Sequence, residues 1–242
     1  MRFCIIASSG GSSFKEYLKI SNLNHEILII TDRSCGIEKL KAKKGITHHR
    51  IKYSNKDFFS QQAKKKIDKF GEIKFILLFF TKIIGKSIFD SYPTFNIHSS
   101  ILPSFPGLNS INQAFTKKVK VFGTTLHIVD SSIDNGKIIA QIFVPNNNYN
   151  LRQIKSISFL QNVLLVLILE EIVTFSDLNY YSHSIEAGIS YSASPTLISN
   201  VYKESIYKLT KEKFFRNETE NMRNNAAHLF ALDRLFQNDR SG

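Results

Sequence analysis

The seven residues Lys74-Phe75-Ile76-Leu77-Leu78-Phe79-Phe80 decide the fold of this chain, because six of them are apolar. A short run that is apolar on both of its alternating faces is typical of a central strand in a parallel sheet covered by helices on each side. Short β-rich runs alternate with helical patterns before and after it, as in right-handed βαβ units. The sequence therefore predicts an α/β fold: a Rossmann-like, doubly wound, mostly parallel sheet with a small C-terminal extension.

The other elements follow outward from this central strand. Towards the N terminus, the patterns predict strands at 47–51, 26–31 and 3–7 and helices at 56–70, 37–44 and 12–20. Towards the C terminus, they predict a brief segment at 86–91, strands at 94–97, 122–129 and 138–144, and helices at 110–117 and 151–175. The stretch 130–137 separates two of these strands and is predicted to be a functional loop.

Composition limits what the chain can be. With 242 residues, 43% hydrophobic and 21% charged, it can bury one substantial core and is neither disordered nor a fibrous polymer. A net charge of +12 favours an anionic partner such as nucleic acid, an anionic membrane or a phosphorylated small molecule.

Location and cofactor class are also indicated by what the sequence contains. The longest apolar run, at 163–169, falls short of the about 20 residues that span a bilayer. We therefore expect no membrane partner, and no signal peptide is evident. Cys4 and Cys35 lack the spacing of a disulfide framework or of metal ligands. A cytoplasmic protein without a metal is predicted.

The pattern changes beyond about residue 177. Tyr180, Tyr181, Tyr191 and a turn-rich Gly-Ile-Ser-Tyr-Ser-Ala-Ser-Pro stretch replace the alternating strands and helices. We predict one domain at 1–176 that carries the chemistry. The extension at 177–242 is expected to cover the substrate or to form a homodimer.

Two polar side chains mark a place for chemistry. The segment Thr94-Phe95-Asn96-Ile97-His98-Ser99-Ser100-Ile101-Leu102-Pro103 runs from a predicted strand into a loop, where α/β enzymes tend to place functional residues. Asn96 and His98 are two residues apart, which puts both side chains on one face of an extended chain, about 6–7 Å from each other. One reacting carbonyl could contact both, as in an oxyanion site.

A carboxylate is predicted to complete this group. Asp134 lies in the turn Ile133-Asp134-Asn135-Gly136, in which Gly136 is expected to supply a positive φ. A carboxylate near His98 would favour its imidazolium form and fix the orientation of the ring. Each of these residues alone is more often structural, and only their combination favours a catalytic site.

Together these motifs resemble the folate-dependent formyltransferase family. The hallmark of that family is Asn-x-His-x-Ser-(Leu/Ile)-Leu-Pro followed by an aromatic residue and a glycine, and it stands here as residues 96–103 with Phe105-Pro106-Gly107. Two further family elements correspond to Gly123-Thr124-Thr125-Leu126-His127 and Asp134-Asn135-Gly136. The resemblance covers residues 1 to about 175. It implies that Asn96, His98 and Asp134 are catalytic and leaves the role of His127 open.

The resemblance also implies 10-formyltetrahydrofolate as the formyl donor. Its pterin ring is expected to lie between the segment 79–84 and the loop 129–134, held partly by backbone groups. Lys82 stands where glycinamide ribonucleotide formyltransferases commonly have arginine, which keeps the charge and loses the planar fork. The implied donor-binding residues are Phe79, Phe80, Lys82, Ile83, Ile84, Val129, Asp130 and Ile133.

The loop Ser8-Ser9-Gly10-Gly11-Ser12-Ser13 follows the first strand and opens a helix, where backbone N–H groups can hold a phosphate. A plain strand-to-helix turn explains the same residues equally well, and the Gly-x-Gly-x-x-Gly pattern of dinucleotide sites is missing. The residues predicted to bind the formyl acceptor are Ser8, Ser9, Gly10, Gly11, Ser12, Pro103 and Gly107.

Two acceptors are considered, and the departures from the glycinamide ribonucleotide enzymes favour the first. The first is the amine of a nucleotide-linked amino-dideoxy sugar, such as dTDP-4-amino-4,6-dideoxyglucose, used for surface polysaccharides such as the O-antigen of lipopolysaccharide. The alternative is glycinamide ribonucleotide in purine biosynthesis. Enzymes for the latter usually have Ser-Gly-x-Gly-Ser-Asn in the first loop and a ribose-binding glutamate in the long helix, whereas Ser9, Ser13 and Gln161 stand here. A transfer RNA acceptor is disfavoured by the short extension, and no nucleic-acid-binding motif is present.

Overall fold

The computed structural model describes residues 1–9, 11–21, 24–146 and 148–175. The predictions for Gly10 and for the extension at 177–242, with Tyr180, Tyr181 and Tyr191, lie outside these residues. One sheet contains seven strands: β1 (Arg2–Ala7), β2 (Glu26–Thr31), β3 (Ile46–Arg50), β4 (Ile76–Phe79), β5 (Thr94–His98), β6 (Val121–Ile128) and β7 (Ile138–Pro145).

The order of the strands is β3-β2-β1-β4-β5-β6-β7. Strands β1 to β5 are parallel, whereas β6 runs antiparallel to β5 and β7 antiparallel to β6. The predicted mostly parallel, doubly wound sheet is therefore confirmed. The chain leaves β1 towards β2 and β3 and returns to β4 on the other side of β1. Open α/β sheets bind their ligands at such a switch point, beyond the carboxyl ends of the strands.

Helices cover both faces of this sheet. They are α1 (Ser12–Ile20), α2 (Lys56–Phe70), α3 (Lys86–Phe89), α4 (Ser110–Thr116) and α5 (Leu151–Phe175), with a 3-10 helix at Gly36–Ala42. The helix predicted at 37–44 is thus a 3-10 helix. Its buried apolar residues, Ile37 and Leu40, are three positions apart, which matches the three residues per turn of this geometry.

The residues around β4 show why both layers form. Phe75 and Leu77 belong to the core that contains α1 and α5, whereas Ile76 and Leu78 belong to the core that contains α2 and α3. Successive side chains of a strand point to opposite faces, so a strand that is apolar at every position needs a helix layer on each side. The two cores follow directly from the sequence of this stretch.

Helix α5 is the longest element of the part of the chain that the structure describes. Its 24 residues from Leu151 to Thr174 have the length and composition of a membrane-spanning helix, but 78% of the most apolar window is buried inside the protein. Leu165 and Leu167 are 0% exposed, and burial of one such side chain contributes about 1.5–3 kcal/mol relative to exposure. The burial is that of a core helix.

Glu38, in the 3-10 helix, joins two neighbouring strands at their carboxyl ends. Its carboxylate accepts hydrogen bonds from Thr31 Oγ1 at 2.7 Å and from Arg50 Nε at 2.9 Å. The Arg50 hydrogen bond is the main reason that the pKa of Glu38 falls from 4.5 to about 2; burial opposes this shift, while Thr31 and the charges of Arg50 and His48 add to it.

We expect Glu38→Gln to lower the free energy of unfolding at pH 7 by about 1–3 kcal/mol, because it weakens these bonds to a buried group. A depressed carboxyl pKa stabilises the fold above the unfolded pKa, and this stabilisation is lost as the pH falls through the folded pKa. The difference between variant and wild type should therefore shrink as the pH falls from 4.5 towards about 2. Urea unfolding at several pH values measures it, with the exposed Glu72→Gln as control. A difference that stays constant down to the lowest pH contradicts the role of Glu38.

Candidate active site

Asn96 and His98 lie on β5, and His98 is the last residue of this strand. Asn96 is half-buried, and His98 is buried with 7% of its surface exposed. Their two-residue spacing puts both side chains on the same side of the strand. Neighbouring β6 pairs with β5 in an antiparallel register that sets Asn96 opposite His127 and His98 opposite Thr125.

Asp134 lies in the loop that joins β6 to β7, and its carboxylate is the meeting point of the site. Oδ1 is 3.3 Å from Asn96 Nδ2, and Oδ2 is 3.3 Å from His98 Nδ1. The backbone N–H of Gly107 donates to Oδ2 at 2.8 Å. The structure thus brings together the three residues that the sequence motifs single out.

The backbone of this loop differs from the sequence-based expectation. The prediction that Gly136 supplies the positive φ is wrong, since the residue in the left-handed region is Asp134 itself, with a φ of 48°. Aspartate is among the side chains that tolerate this region. Glycine is needed at 136 for another reason, because a Cβ there would collide with the carbonyl oxygen of Ile128.

Gly136→Ala should therefore push the loop away from β6 and move Asp134 out of contact with His98. We expect unfolding to become easier by about 1–3 kcal/mol, as in other overpacked sites, together with a marked loss of activity. Thermal unfolding and steady-state rates measure the two effects. Asn135→Ala is the matched control, since Asn135 is exposed in the same turn and already carries a Cβ. Equal behaviour of the two variants contradicts the close approach at Gly136.

The charge state of the site follows from its contacts. Burial acts to raise the pKa of Asp134, but the contact with His127, the hydrogen bond from Gly107 and the charge of His98 outweigh it, so this pKa lies below its ordinary value. His98 Nε2 lies 2.8 Å from the carbonyl oxygen of Phe105. The two ring nitrogens of His98 thus lie beside an oxygen of Asp134 and the carbonyl oxygen of Phe105.

His127, which sequence reasoning left without a role, belongs to the same group. Its Nδ1 lies 2.9 Å from the carbonyl oxygen of Ile128 and donates a hydrogen bond to that oxygen. Its Nε2 then accepts from Asn96 Nδ2 at 3.1 Å and lies 3.6 Å from Asp134 Oδ1. His127 therefore fixes which way the Asn96 amide points. The available signal was the family element at 123–127, which ends in His127, whereas its position opposite Asn96 depends on the strand register.

The loop at 99–109 that follows β5 is held by the neighbouring strands. The Leu102–Pro103 peptide bond is cis, and Phe105, Gly107 and Asn109 have positive φ angles. Thr125 Oγ1 on β6 donates to the carbonyl oxygen of Ser100 at 2.7 Å, and Gln141 Nε2 on β7 donates to that of Leu102 at 2.9 Å. These bonds fix the loop that provides the Gly107 N–H.

The residues expected to bind the folate lie after β4 and in the loop before Asp134. Phe80 stacks on Phe59 of α2 with ring centroids 4.9 Å apart, and Ile84 is buried in the same core. The Ile84 side chain is therefore not available to a ligand, whereas the Phe80 ring is only partly buried. In contrast, Ile83 and Ile133 are 52% and 62% exposed. Of the remaining residues expected to bind the folate, Phe79, Lys82 and Val129 are partly buried. Asp130 is exposed, and its carboxylate accepts a hydrogen bond from the Ser132 backbone N–H.

The residues expected to bind the acceptor are spread over two loops. Ser8 is buried, and its Oγ lies 3.4 Å from the Thr81 backbone nitrogen that donates to it. Gly11, at a φ of 59°, precedes α1. Ser9, Ser12 and Pro103 are exposed. The backbone N–H of Gly107 already donates a hydrogen bond to Asp134.

A cavity of about 210 Å³ lies beside the 99–109 loop. Its lining includes Ser99 and Phe105 of the loop, Ile111 of α4 and Ile154 of α5, and it includes none of Asn96, His98 and Asp134. The contacts around Asp134, rather than this cavity, therefore define the candidate active site. Within the described residues, no group of three His, Cys, Asp or Glu side chains is arranged to hold a metal ion.

Comparison with known proteins agrees with this geometry. Residues 1–149 match the formyl transferase family. The chain is 34% identical over 151 residues to the phosphoribosylglycinamide formyltransferase of Bacillus subtilis (strain 168), an alignment that covers 58% of this chain and 77% of that protein. It is 30% identical over 125 residues to the formyltetrahydrofolate deformylase of the same strain, covering 50% of this chain and 41% of that protein.

A solved structure shows the same architecture. The crystal structure of phosphoribosylglycinamide formyltransferase from Bacillus halodurans superposes with a TM-score of 0.60 at 28% identity. The match covers 73% of this chain and 100% of that one.

Proposed function

This chain belongs to the formyl transferase family and is a folate-dependent formyltransferase, and from that premise we propose that it formylates a nucleotide-linked amino-dideoxy sugar with 10-formyltetrahydrofolate. The observation that carries the chemistry is the convergence of Asn96, His98 and Gly107 on the Asp134 carboxylate. Hydrogen-bond donors and a proton acceptor thereby stand side by side, which is what the transfer of an acyl group between two nitrogen atoms requires.

The reaction begins with attack of the neutral acceptor amine on the formyl carbon. A new carbon–nitrogen bond forms, and the electrons of the carbonyl double bond move to its oxygen. Collapse of this tetrahedral intermediate breaks the bond from the formyl carbon to the folate nitrogen. The amine loses one proton and the folate nitrogen gains one, and Asp134, ionised because its pKa is depressed, accepts and returns that proton through water.

Asn96 and His98 stabilise the oxygen while it carries negative charge. The Asn96 amide donates in the structure to Asp134 and His127, and the developing oxygen takes over one of these hydrogen bonds. His98 donates the second from a ring N–H that gives up its present contact with Asp134 or Phe105. Removal of one such donor in other enzymes costs about two to three orders of magnitude in rate.

One buried contact counts against a ribose-binding role for the long helix, as found in glycinamide ribonucleotide enzymes. Gln161 stands in α5, 0% exposed, and its carboxamide oxygen accepts from Thr124 Oγ1 at 2.9 Å. That oxygen is therefore engaged inside the core and is not offered to a ribose hydroxyl. The competing acceptor, glycinamide ribonucleotide, is supported by the names of the relatives from Bacillus subtilis and Bacillus halodurans.

The remaining organisation is part of the same proposal. Residues 1–176 form the catalytic domain, and residues 177–242 form an extension that covers the acceptor or builds a homodimer in the cytoplasm. Sedimentation of the intact chain, with and without the sugar nucleotide, tests the assembly.

The decisive test is a formyl-transfer assay with 10-formyltetrahydrofolate and three conditions: dTDP-4-amino-4,6-dideoxyglucose, glycinamide ribonucleotide, or no amine. We expect turnover with the sugar alone. Turnover with glycinamide ribonucleotide alone contradicts the sugar and makes the chain a purine-pathway enzyme. Release of formate at the same rate without any amine contradicts transfer itself and points to the deformylase reaction, with water as acceptor.

A further inference from the structure

Two arginines near the carboxyl ends of β2 and β3 are held in the same way. Arg33 donates from Nε and Nη2 to the Asp32 carboxylate at 3.1 and 2.8 Å, and Arg50 donates from the same two atoms to the Glu38 carboxylate. The side chains of Asp32 and Glu38 are only 2% and 11% exposed, whereas those of Arg33 and Arg50 are 51% and 50% exposed. Two buried carboxylates thus orient two exposed guanidinium groups.

A third cation, Lys82, lies beside Arg33 and comes from the other side of the switch point. We call Arg33, Arg50 and Lys82 the cation row. Lys82, which follows β4, lies with its Nζ 3.7 Å from Asp32 Oδ2, the oxygen that Arg33 Nη2 contacts at 2.8 Å. The Lys82 ammonium also lies 4.3 Å from the centre of the Tyr53 ring, which holds it in place. Arg33 and Lys82 therefore converge on one oxygen atom.

The two arginines come from adjacent, paired strands. Thr31, the last residue of β2, is the register partner of Arg50, and Arg33 follows Thr31 by two residues. Adjacent strands are about 4.8 Å apart. The cation row thus presents guanidinium groups from the ends of neighbouring strands at the edge of the sheet where an open α/β fold binds its ligand.

The part of the chain that contains β3 and α2 is strongly positive. Residues 36–74 contain twelve Lys and Arg against four Asp and Glu, so their net charge of +8 is two-thirds of the +12 of the whole chain. Asp32 and Glu38 offset part of the charge of the three cations and leave it positive. A surface of this kind attracts multiply charged anions from solution.

We propose that Arg33 and Arg50 form the binding site for the diphosphate of the acceptor, beside Lys82, which the family resemblance assigns to the folate. This assignment rests on the proposed function, since a nucleotide-linked sugar carries two adjacent phosphates and glycinamide ribonucleotide only one. Within the described residues, the Nη1 groups of Arg33 and Arg50 donate no hydrogen bond, and guanidinium groups match phosphate oxygens in geometry and charge. Each arginine contacts one phosphate, and Lys82 supplies a further charge.

The test is calorimetric binding of inorganic pyrophosphate and of inorganic phosphate to the intact chain, which needs no turnover. We expect pyrophosphate to bind more tightly, and Arg33→Gln or Arg50→Gln to weaken it about tenfold or more, as loss of a charged hydrogen bond does. Arg2→Gln is the matched control. Arg2 pairs with Glu26 through the same two nitrogen atoms at the opposite end of β1 and should leave binding unchanged.

Two further variants guard against a folding defect. Arg33→Lys keeps the positive charge but loses the planar guanidinium group with its paired N–H donors. The double variant Asp32→Asn with Arg33→Gln removes the arginine without leaving a buried carboxylate unpaired. Both should still weaken pyrophosphate binding at an unchanged unfolding temperature. Equal affinity for phosphate and pyrophosphate, or binding that survives in the arginine variants, overturns the site. Binding of triglutamate without binding of pyrophosphate also overturns the site, because the three cations would then bind the carboxylates of the folate.

The failures of the two proposals are distinguishable. If the sugar nucleotide is formylated but its KM is unchanged in Arg33→Gln and Arg50→Gln, the diphosphate site is wrong and the proposed function stands. If pyrophosphate binding depends on both arginines and the sugar is not formylated, the site stands and the sugar is wrong.

Discussion

Replacement of Asp134 by asparagine should lower kcat by about three orders of magnitude, in the middle of the range for loss of a general acid–base group. Asparagine has nearly the same shape and tolerates a positive φ, so it can occupy the backbone conformation observed at this position. It cannot accept the proton of the amine. Its amide also places a donor where Gly107, Asn96 and His98 all donate to the carboxylate.

Steady-state kinetics measures this loss, and thermal unfolding shows that the fold is kept. Asp90→Asn is the control, since Asp90 is exposed at the end of α3 and should give wild-type rates. An Asp134→Asn variant with a rate within tenfold of wild type would mean that the proton leaves by another route, and the role given to Asp134 would fall.

Asn96→Leu is the second change with a large expected effect. Leucine fills a similar volume but cannot donate to the oxygen of the tetrahedral intermediate, so kcat should fall by about two to three orders of magnitude. The KM for the folate should stay close to wild type, because the side chain stabilises charge that appears only during the reaction. A fall in kcat at an unchanged KM for the folate distinguishes this role from a role in binding.

Asn96 also donates to Asp134 and His127, so its loss has a structural component. A half-buried acceptor that loses its partner costs about 1–3 kcal/mol in stability. Asn96→Asp separates the effects, since it keeps the shape but presents an acceptor to the developing oxygen and should be equally inactive. Asn135→Leu, an exposed asparagine of the Asp134 loop, should retain activity. A raised KM with an unchanged kcat in Asn96→Leu contradicts the proposed mechanism.

Most of the fold can be predicted because local patterns and tertiary structure agree in this chain. The apolar stretch around β4 predicts two covered faces, and the helices α1, α2 and α5 begin and end where the sequence pattern predicts. The 3-10 helix is an exception. The sequence from Gly36 to Ala42 has only two buried apolar residues to position it, too few to distinguish one helical geometry from the other.

The candidate site was predictable only as far as motifs reach. Asn96, His98 and Asp134 are recognisable as motif residues, but their grouping with His127 depends on the register between β5 and β6. The need for glycine at 136 depends on how closely one stretch of backbone approaches another. Such contacts join distant parts of the chain, so no local pattern of residues reports them.

The strand order has a consequence for how relatives of this enzyme can diverge. Asn96, His98, His127 and Asp134 all lie on the β5–β7 side of the sheet, while Arg33 and Arg50 lie on the β2–β3 side. The segment 71–74 before β4 falls between the two groups in the sequence. A chimera joined there would combine the catalytic half of one family member, which includes Lys82, with the half of another that carries Arg33 and Arg50. We therefore expect recombination at this junction to exchange acceptor preference between relatives while the formyl-transfer step is inherited unchanged.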